Sequence, residues 1–250
     1  MAYSDILPLI FIGLLSGSLV GLLSIGGGII IVPLLHILYP KIPMQDIVII
    51  SLHQIFFSSL TSYITHRGRQ KTIKKDTYWL AIHFSCLVIA GYFLHYLNES
   101  FISLLFVFFI ICSLICRLFI MFNKSIQPFN YYNETMTTIC ATYGSLVGLG
   151  GSLLLYPFLR LANVPYYKVL KDCSFSSLTV GLLGVATHDV MFLLNINHTF
   201  PWLMMIIITM ASIITTRIAS IKTYSLSQTI IDNISFVLSI IIVITYCCYL

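Results

Sequence analysis

Two runs of small residues in this chain could bind an anion through backbone groups alone. Gly26–Gly28 precedes Pro33, and Gly150–Ser152 precedes Pro157 at the same spacing. Glycine lets a backbone approach a ligand closely, and a helix that begins after such a run presents unpaired N–H groups and the positive end of its dipole. The pattern predicts two backbone anion sites, with Pro33 and Pro157 as structural breaks. Close packing of helices is the alternative, since small residues also serve that purpose in membranes.

A second group of polar residues lies in the middle of an apolar segment. Ser51, His53 and Gln54 fall within residues 44–64. Polar and ionisable groups at membrane depth are costly and usually functional. An imidazole can donate to an anion or carry a proton near neutral pH, so His53 is a candidate for either role. A structural hydrogen bond between helices is the alternative.

The matching segment of the second half offers different chemistry. It contains Cys173 and Ser174 but no imidazole, so only the first half supplies a titratable ring at this depth. An FSSLT pentapeptide occurs in both halves, at Phe57–Thr61 and Phe175–Thr179, but it lies one helical turn out of register and we treat it as partly coincidental. The candidate substrate-binding residues are Gly26, Gly27, Gly28, Ser51, His53, Gln54, Gly150, Gly151, Ser152, Cys173 and Ser174.

The elements that carry these residues belong to a membrane protein. Of the 250 residues, 58% are hydrophobic and only 8% are charged, whereas soluble domains carry about 25% charged residues. The net charge of +5 does not indicate nucleic acid, because the basic residues lie in short loops between apolar segments. The sequence shows no catalytic triad, metal cluster or nucleotide-binding loop, so we expect neither an enzyme nor a cofactor.

The apolar residues form ten segments, and we predict an all-α polytopic fold. Three segments, at 26–39, 135–149 and 150–162, are shorter than the roughly 20 residues that a full span needs. We expect broken or re-entrant helices there, which are tolerated where protein or a cavity covers the backbone. The other segments lie at 6–24, 44–64, 78–97, 100–122, 166–186, 200–217 and 226–249.

A sequence repeat divides the chain into two halves. The hexapeptide GSLVGL occurs at Gly17–Leu22 and again at Gly144–Leu149. We predict one membrane repeat at 1–125 and a second at 126–250, integrated in one transmembrane domain. Each half has an odd number of segments, so the repeats should be inverted about an axis in the membrane plane. If loop 66–77 faces the cytoplasm, 12 of the 13 Lys and Arg residues lie inside and only Lys41 lies outside.

At these residues the chain resembles the TauE/SafE family of sulfite and organosulfonate exporters. The matching pattern is IGGGxxxxP at Ile25–Pro33, then Pro43, Ser51 and His66–Gly68, and a second copy begins at Gly144. The resemblance covers nearly the whole chain. It implies a multi-pass transporter in the plasma (inner) membrane for small sulfur-containing anions.

We therefore expect a carrier of a sulfite- or sulfonate-class anion that works by alternating access between its two repeats. Its partners would be the small anion, the lipid bilayer and a coupling proton or ion, with a second copy of the chain as a candidate partner and no nucleic acid. Two other functions fit the same sequence. One is a membrane scaffold or assembly factor whose glycines only pack helices. The other is a sulfur-handling membrane protein that uses Cys173 as a thiol.

Overall fold

A computed structural model describes residues 3–67, 77–94, 96–121, 132–194, 200–225 and 227–249. These residues form ten α-helices and one 3-10 turn, with no strand among them. The helices are α1 (Tyr3–Leu23), α2 (Gly28–Leu38), α3 (Met44–Arg67), α4 (Thr77–Leu94), α5 (Glu99–Met121), α6 (Tyr132–Val147), α7 (Ser152–Leu161), α8 (Tyr166–Leu194), α9 (Trp202–Lys222) and α10 (Gln228–Tyr249). Gly68 of the predicted His66–Gly68 motif and the predicted boundary near residue 125 lie outside the described residues.

The helices confirm the all-α polytopic fold. Five of them, α1, α3, α5, α8 and α9, are long and apolar enough to cross a membrane. The short segments predicted at 26–39 and 150–162 are the helices α2 and α7, with 11 and 10 residues. At 1.5 Å per residue neither helix spans a bilayer. Each begins after a non-helical stretch, as the glycine runs predict.

Glycines on one face of α1 pack against α9. A Cβ atom on Gly13 would lie 2.5 Å from the carbonyl oxygen of Ile208, and one on Gly21 would lie 2.6 Å from that of Thr216. The Thr216 hydroxyl donates to the carbonyl oxygen of Gly17 at 3.0 Å. Small residues at every fourth position let two membrane helices touch in this way. In this copy of GSLVGL, Gly17 and Gly21 therefore pack helices.

The central pair of helices is α3 and α8, which run antiparallel. Leu52 faces Gly184, whereas the Ser62 hydroxyl, further along α3, lies 3.2 Å from that of Ser174, earlier on α8. Both helices pass the points where α2 and α7 begin, so their middle portions face the two breaks. This placement brings the polar residues of α3 close to the glycine runs.

Packing between helices repeats when α1–α5 are exchanged with α6–α10. The packing of α1 on α9 corresponds to that of α6 on α4, α3 on α9 corresponds to α8 on α4, and α5 on α7 corresponds to α10 on α2. Contacts between neighbours show that α1, α3 and α9 run in one direction and α4, α6 and α8 in the other. Corresponding helices thus run in opposite directions, and the inverted arrangement of repeats 1–125 and 126–250 in a bilayer stays a prediction.

The α1–α9 contact can be tested by adding a side chain to it. Gly17→Leu should lower the free energy of unfolding by about 1–3 kcal/mol, because the new Cβ would overlap the Ser212 carbonyl and the Thr215 hydroxyl. The melting temperature of the purified protein in detergent measures the effect. Ser18→Leu is the matched control, since the Ser18 hydroxyl bonds only to its own helix at the carbonyl oxygen of Leu14. An equal loss in both variants would contradict the close contact.

Candidate functional site

The two helix breaks meet inside the protein. A Cβ atom on Gly26 would lie 2.6 Å from the carbonyl oxygen of Leu149 and 3.0 Å from the Cα of Gly150. A Cβ atom on Gly28 would overlap the carbonyl oxygen of Gly148. The backbones of the first and second breaks are therefore in direct contact. We refer to residues 24–28 together with residues 148–152 as the glycine junction.

Glycine is needed for different reasons on the two sides of the junction. Gly148, Gly150 and Gly151 have φ angles of +69°, +76° and +65°, a left-handed conformation that side chains disfavour. The first break has no glycine in that region, and Gly26 and Gly28 are required there for close approach. The second break thus depends on glycine for its conformation, and the first for its contact with the second.

Serine hydroxyls form hydrogen bonds with buried, non-helical backbone groups of the junction. The N–H of Gly26 donates to the Ser152 hydroxyl at 2.9 Å, and the Ser51 hydroxyl donates to the carbonyl oxygen of Gly148 at 2.7 Å. The Ser177 hydroxyl donates to the carbonyl oxygen of Gly150 at 2.8 Å and lies 2.5 Å from the Ser152 hydroxyl. Ser51 and Ser152 were predicted from the sequence. Ser177 was missed, although the repeated FSSLT pentapeptide that contains it was the signal.

The N-termini of α2 and α7 both begin at the junction. Their N-cap residues are Gly27 and Gly151, so neither helix has a side-chain cap. The first N–H groups of a helix have no intrahelical partner, and the helix dipole places partial positive charge there. Two such ends in one buried place favour an anion. Both predicted glycine runs therefore lie at the junction, each at the N-terminus of a short helix.

Gln54 lies directly in front of the α2 N-terminus. A Cβ atom on Gly27 would lie 2.5 Å from Oε1 and 2.7 Å from Nε2 of the Gln54 amide. Nε2 donates to the Ser58 hydroxyl at 3.1 Å, whereas Oε1 is buried with no hydrogen-bond partner among the described residues. A buried polar atom without a partner costs about 1–3 kcal/mol. This amide is the polar group that a ligand at the junction would meet.

Ser174 is linked to the edge of the junction by the Ser62 hydroxyl. The Ser62 hydroxyl lies 3.2 Å from that of Ser174 and 3.4 Å from that of Ser24, the residue that follows α1. Sequence reasoning missed Ser62. Cys173, beside Ser174, is completely buried and belongs to the hydrophobic core. Its proposed role as a thiol stays untested.

His53 contacts a different group of residues from those at the junction. Its Nδ1 lies 2.9 Å from the carbonyl oxygen of Ile49, and its Nε2 lies 3.7 Å from Oδ1 of Asp189. The Phe200 and Trp202 rings lie 6.3 and 6.2 Å from the imidazole. The structure thus brings Ser51 and Gln54 together and turns His53 away, because successive residues of a helix point about 100° apart. The role of His53 in transport stays a prediction.

Within the part of the chain that the structure describes, no three His, Cys, Asp or Glu side chains are grouped to hold a metal ion. The arrangement offers backbone N–H groups and one amide beside three serine hydroxyls, those of Ser51, Ser152 and Ser177. These groups can bind a small anion by hydrogen bonds and dipoles.

Comparison with known proteins confirms the resemblance noted from the sequence. The family described as "Sulfite exporter TauE/SafE" matches residues 9–246. A Haemophilus influenzae protein named "Probable membrane transporter protein" is 24% identical over 199 residues, which are 73% of each chain. A second Haemophilus influenzae protein of the same name is 30% identical over 158 residues, 62% of this chain and 56% of that protein. No solved structure matches the chain significantly.

The position of the Gln54 amide can be tested through Gly27. Gly27→Ala should lower transport at least about tenfold, since its Cβ would displace only the amide of Gln54, the flexible end of a side chain. The melting temperature should change little. Gly91→Ala is the matched control, because its Cβ would meet the Thr187 side chain, away from the junction. Wild-type transport by Gly27→Ala would contradict a ligand site here.

The role of His53 can be assigned by measuring both the pH–rate curve and the melting temperature of a variant. His53→Ala should lower transport and flatten the pH dependence between about pH 5 and 8, where imidazole groups generally change charge. An unaltered pH curve with a lowered melting temperature would reduce His53 to a packing residue.

Proposed function

We propose that this chain, which belongs to the TauE/SafE family and is a multi-pass membrane transporter, carries a small sulfur oxyanion of the sulfite or sulfonate class. The observation that carries the proposal is the meeting of two helix N-termini without side-chain caps, with the buried amide of Gln54 in front of one of them. The description of the family supports the substrate class. We place the transporter in the plasma membrane and assign it no covalent chemistry.

The anion would bind between the two breaks. N–H groups at the starts of α2 and α7 would donate to its oxygens, and the hydroxyls of Ser51, Ser152 and Ser177 would hold the junction backbone around it through their hydrogen bonds to Gly148, Gly26 and Gly150. The Gln54 amide can turn to present its N–H₂ group, since the side chain carries both donors and an acceptor. Such a site suits a small, compact anion with several acceptor oxygens.

Transport would follow from movement of one half against the other. Corresponding helices run in opposite directions, and the packing of α1–α5 repeats in α6–α10, which supports inverted halves and alternating access. The junction would stay as the fixed point of this motion because it joins the two halves at the middle of α3 and α8. A proton or another ion would drive the cycle.

The rival functions make different demands on the junction. A scaffold needs its glycines only for packing, and Gly13, Gly17 and Gly21 on α1 meet that demand. Packing alone does not account for the buried, unpaired Oε1 of Gln54. A sulfur-handling protein would need access to the Cys173 thiol, which is fully buried.

Transport by the purified protein in proteoliposomes tests the proposal. Radiolabelled sulfite, thiosulfate and a small sulfonate would be compared with chloride and phosphate, with and without a proton gradient. Saturable transport of at least one sulfur oxyanion is the expected result. Transport of none of them would overturn the assignment.

A negative charge introduced at Gln54 tests the site itself. Gln54→Glu should reduce transport at least about tenfold without lowering the melting temperature, because the new carboxylate would occupy the place of the anion at the α2 N-terminus. Gln45→Glu on the same helix is the matched control, since Gln45 lies at the start of α3, where its amide donates to the carbonyl oxygen of Leu97. Equal transport by both variants would contradict the site.

A further inference from the structure

A charged cluster lies between α5, α7, α8 and α10, on the side of the junction where α9 ends at Lys222. Asp232 accepts hydrogen bonds on both oxygens, from the Tyr156 hydroxyl at 2.6 Å and from Nη2 of Arg160 at 3.2 Å. The Arg117 guanidinium lies 5.8 Å from the Tyr156 ring centroid, and that of Arg160 lies 5.9 Å from the Tyr166 ring centroid. We refer to Arg117, Tyr156, Arg160, Tyr166 and Asp232 as the arginine cluster. It places two guanidinium groups beside one carboxylate.

Two buried donors of the cluster are unpaired among the described residues. Nε of Arg160 and the hydroxyl of Tyr166 are buried and have no hydrogen-bond partner among the described residues. Both are donors, and Asp232 already accepts on each of its oxygens. Arg117 is only 4% exposed. An acceptor with negative charge would satisfy both unpaired donors and be attracted by the guanidinium groups.

Arg117 connects the cluster to the glycine junction. It lines one cavity together with Ile25, Ile29 and Leu153, which flank the two breaks. It also lines a second cavity with Asp232 and Asn233 at the start of α10. A small anion held by the cluster would therefore lie next to a small cavity beside the junction.

Among the described residues, the equivalent place in the other half shows no guanidinium group. Exchange of the two halves relates the end of α7, which carries Arg160, to the end of α2, which carries His36. The His36 ring lies 5.9 Å from that of Tyr246, and the Tyr246 hydroxyl donates to that of Ser103 at 3.2 Å. α2 contains no Arg or Lys. The two ends of the route thus differ in charge although their helices correspond.

We propose that the arginine cluster is a second oxyanion site, which loads the transporter from the side of the basic loops. Its place in the route rests on the proposed function of the junction. Its ligand is a small anion with several acceptor oxygens, bound by Nε of Arg160, the Tyr166 hydroxyl and the Arg117 guanidinium. A free sulfur oxyanion and the phosphate of a lipid headgroup share this chemistry.

Tyr166→Phe tests the site, because it removes the unpaired hydroxyl and keeps the ring beside Arg160. Without anion the melting temperature should not fall, since the lost hydroxyl has no partner. Sulfite should raise the melting temperature of the wild type and raise that of Tyr166→Phe much less. Transport from the basic-loop side, measured in inside-out vesicles, should show a KM about tenfold higher with kcat within twofold.

Tyr246→Phe is the matched control, as a buried phenol at the corresponding place in the other half. Its loss of the bond to Ser103 should lower the melting temperature by a few degrees. Its response to sulfite and its KM in inside-out vesicles should stay at wild-type values. A Tyr166→Phe variant that matches the wild type in KM and in its responses to both sulfite and phosphatidylglycerol would overturn the proposal.

The lipid environment separates the two sources of the anion. The melting experiments would be run in nanodiscs of zwitterionic lipid, with and without added phosphatidylglycerol. A stabilisation by sulfite in zwitterionic lipid that Tyr166→Phe loses identifies a free oxyanion. A Tyr166-dependent stabilisation by phosphatidylglycerol alone identifies a headgroup phosphate, and no Tyr166-dependent stabilisation by either would refute the site. Because melting requires no transport, this result stands even if the junction carries no sulfur anion.

Discussion

The contact between two polypeptide backbones at the glycine junction is the constraint on which the rest of the structure depends. Gly26 lies against Gly150, and Gly28 lies against the carbonyl of Gly148, at distances that leave no room for a Cβ atom. Irregular backbone at membrane depth requires protein cover and satisfied polar groups. The middle portions of α3 and α8 provide both, since Ser51 and Ser177 donate to the junction carbonyls. The short lengths of α2 and α7 and the polar content of α3 and α8 follow from this arrangement.

The glycine junction and the arginine cluster differ in their electrostatic environment. At the junction the favourable terms for an anion are partial charges, from helix ends and hydroxyls. Full charges are gathered instead in the arginine cluster, where Asp232 holds Arg160 and Tyr156. A transport site must bind strongly enough to be filled and weakly enough to release its cargo. Dipoles at the centre and guanidinium groups to one side meet these two requirements separately.

The two halves correspond in which helices pack together, but they differ in the side chains at corresponding places. α2 and α7 both begin at the junction, and both pack on the α5–α10 pair. Their far ends carry His36 and Arg160, which have different neighbours. The same applies to the hexapeptide GSLVGL: Gly17 and Gly21 pack α1 on α9, whereas Gly144 lies against Gly151 and Gly148 adopts a left-handed turn. The same pattern of small residues thus serves two structural purposes.

The sequence by itself determined the class of protein, the number of helices and the two breaks. Long apolar segments and glycine runs followed by proline are local features of the sequence. Such features can be recognised without knowledge of the fold. Ser51, Gln54 and Ser152 could be selected because polar residues are rare at membrane depth. Only the tertiary structure decided that the two breaks touch, that Ser177 and Ser62 join them, and that His53 turns toward Asp189. The arginine cluster unites residues up to 115 positions apart (117 to 232), and contacts between distant helices depend on packing that no local pattern specifies.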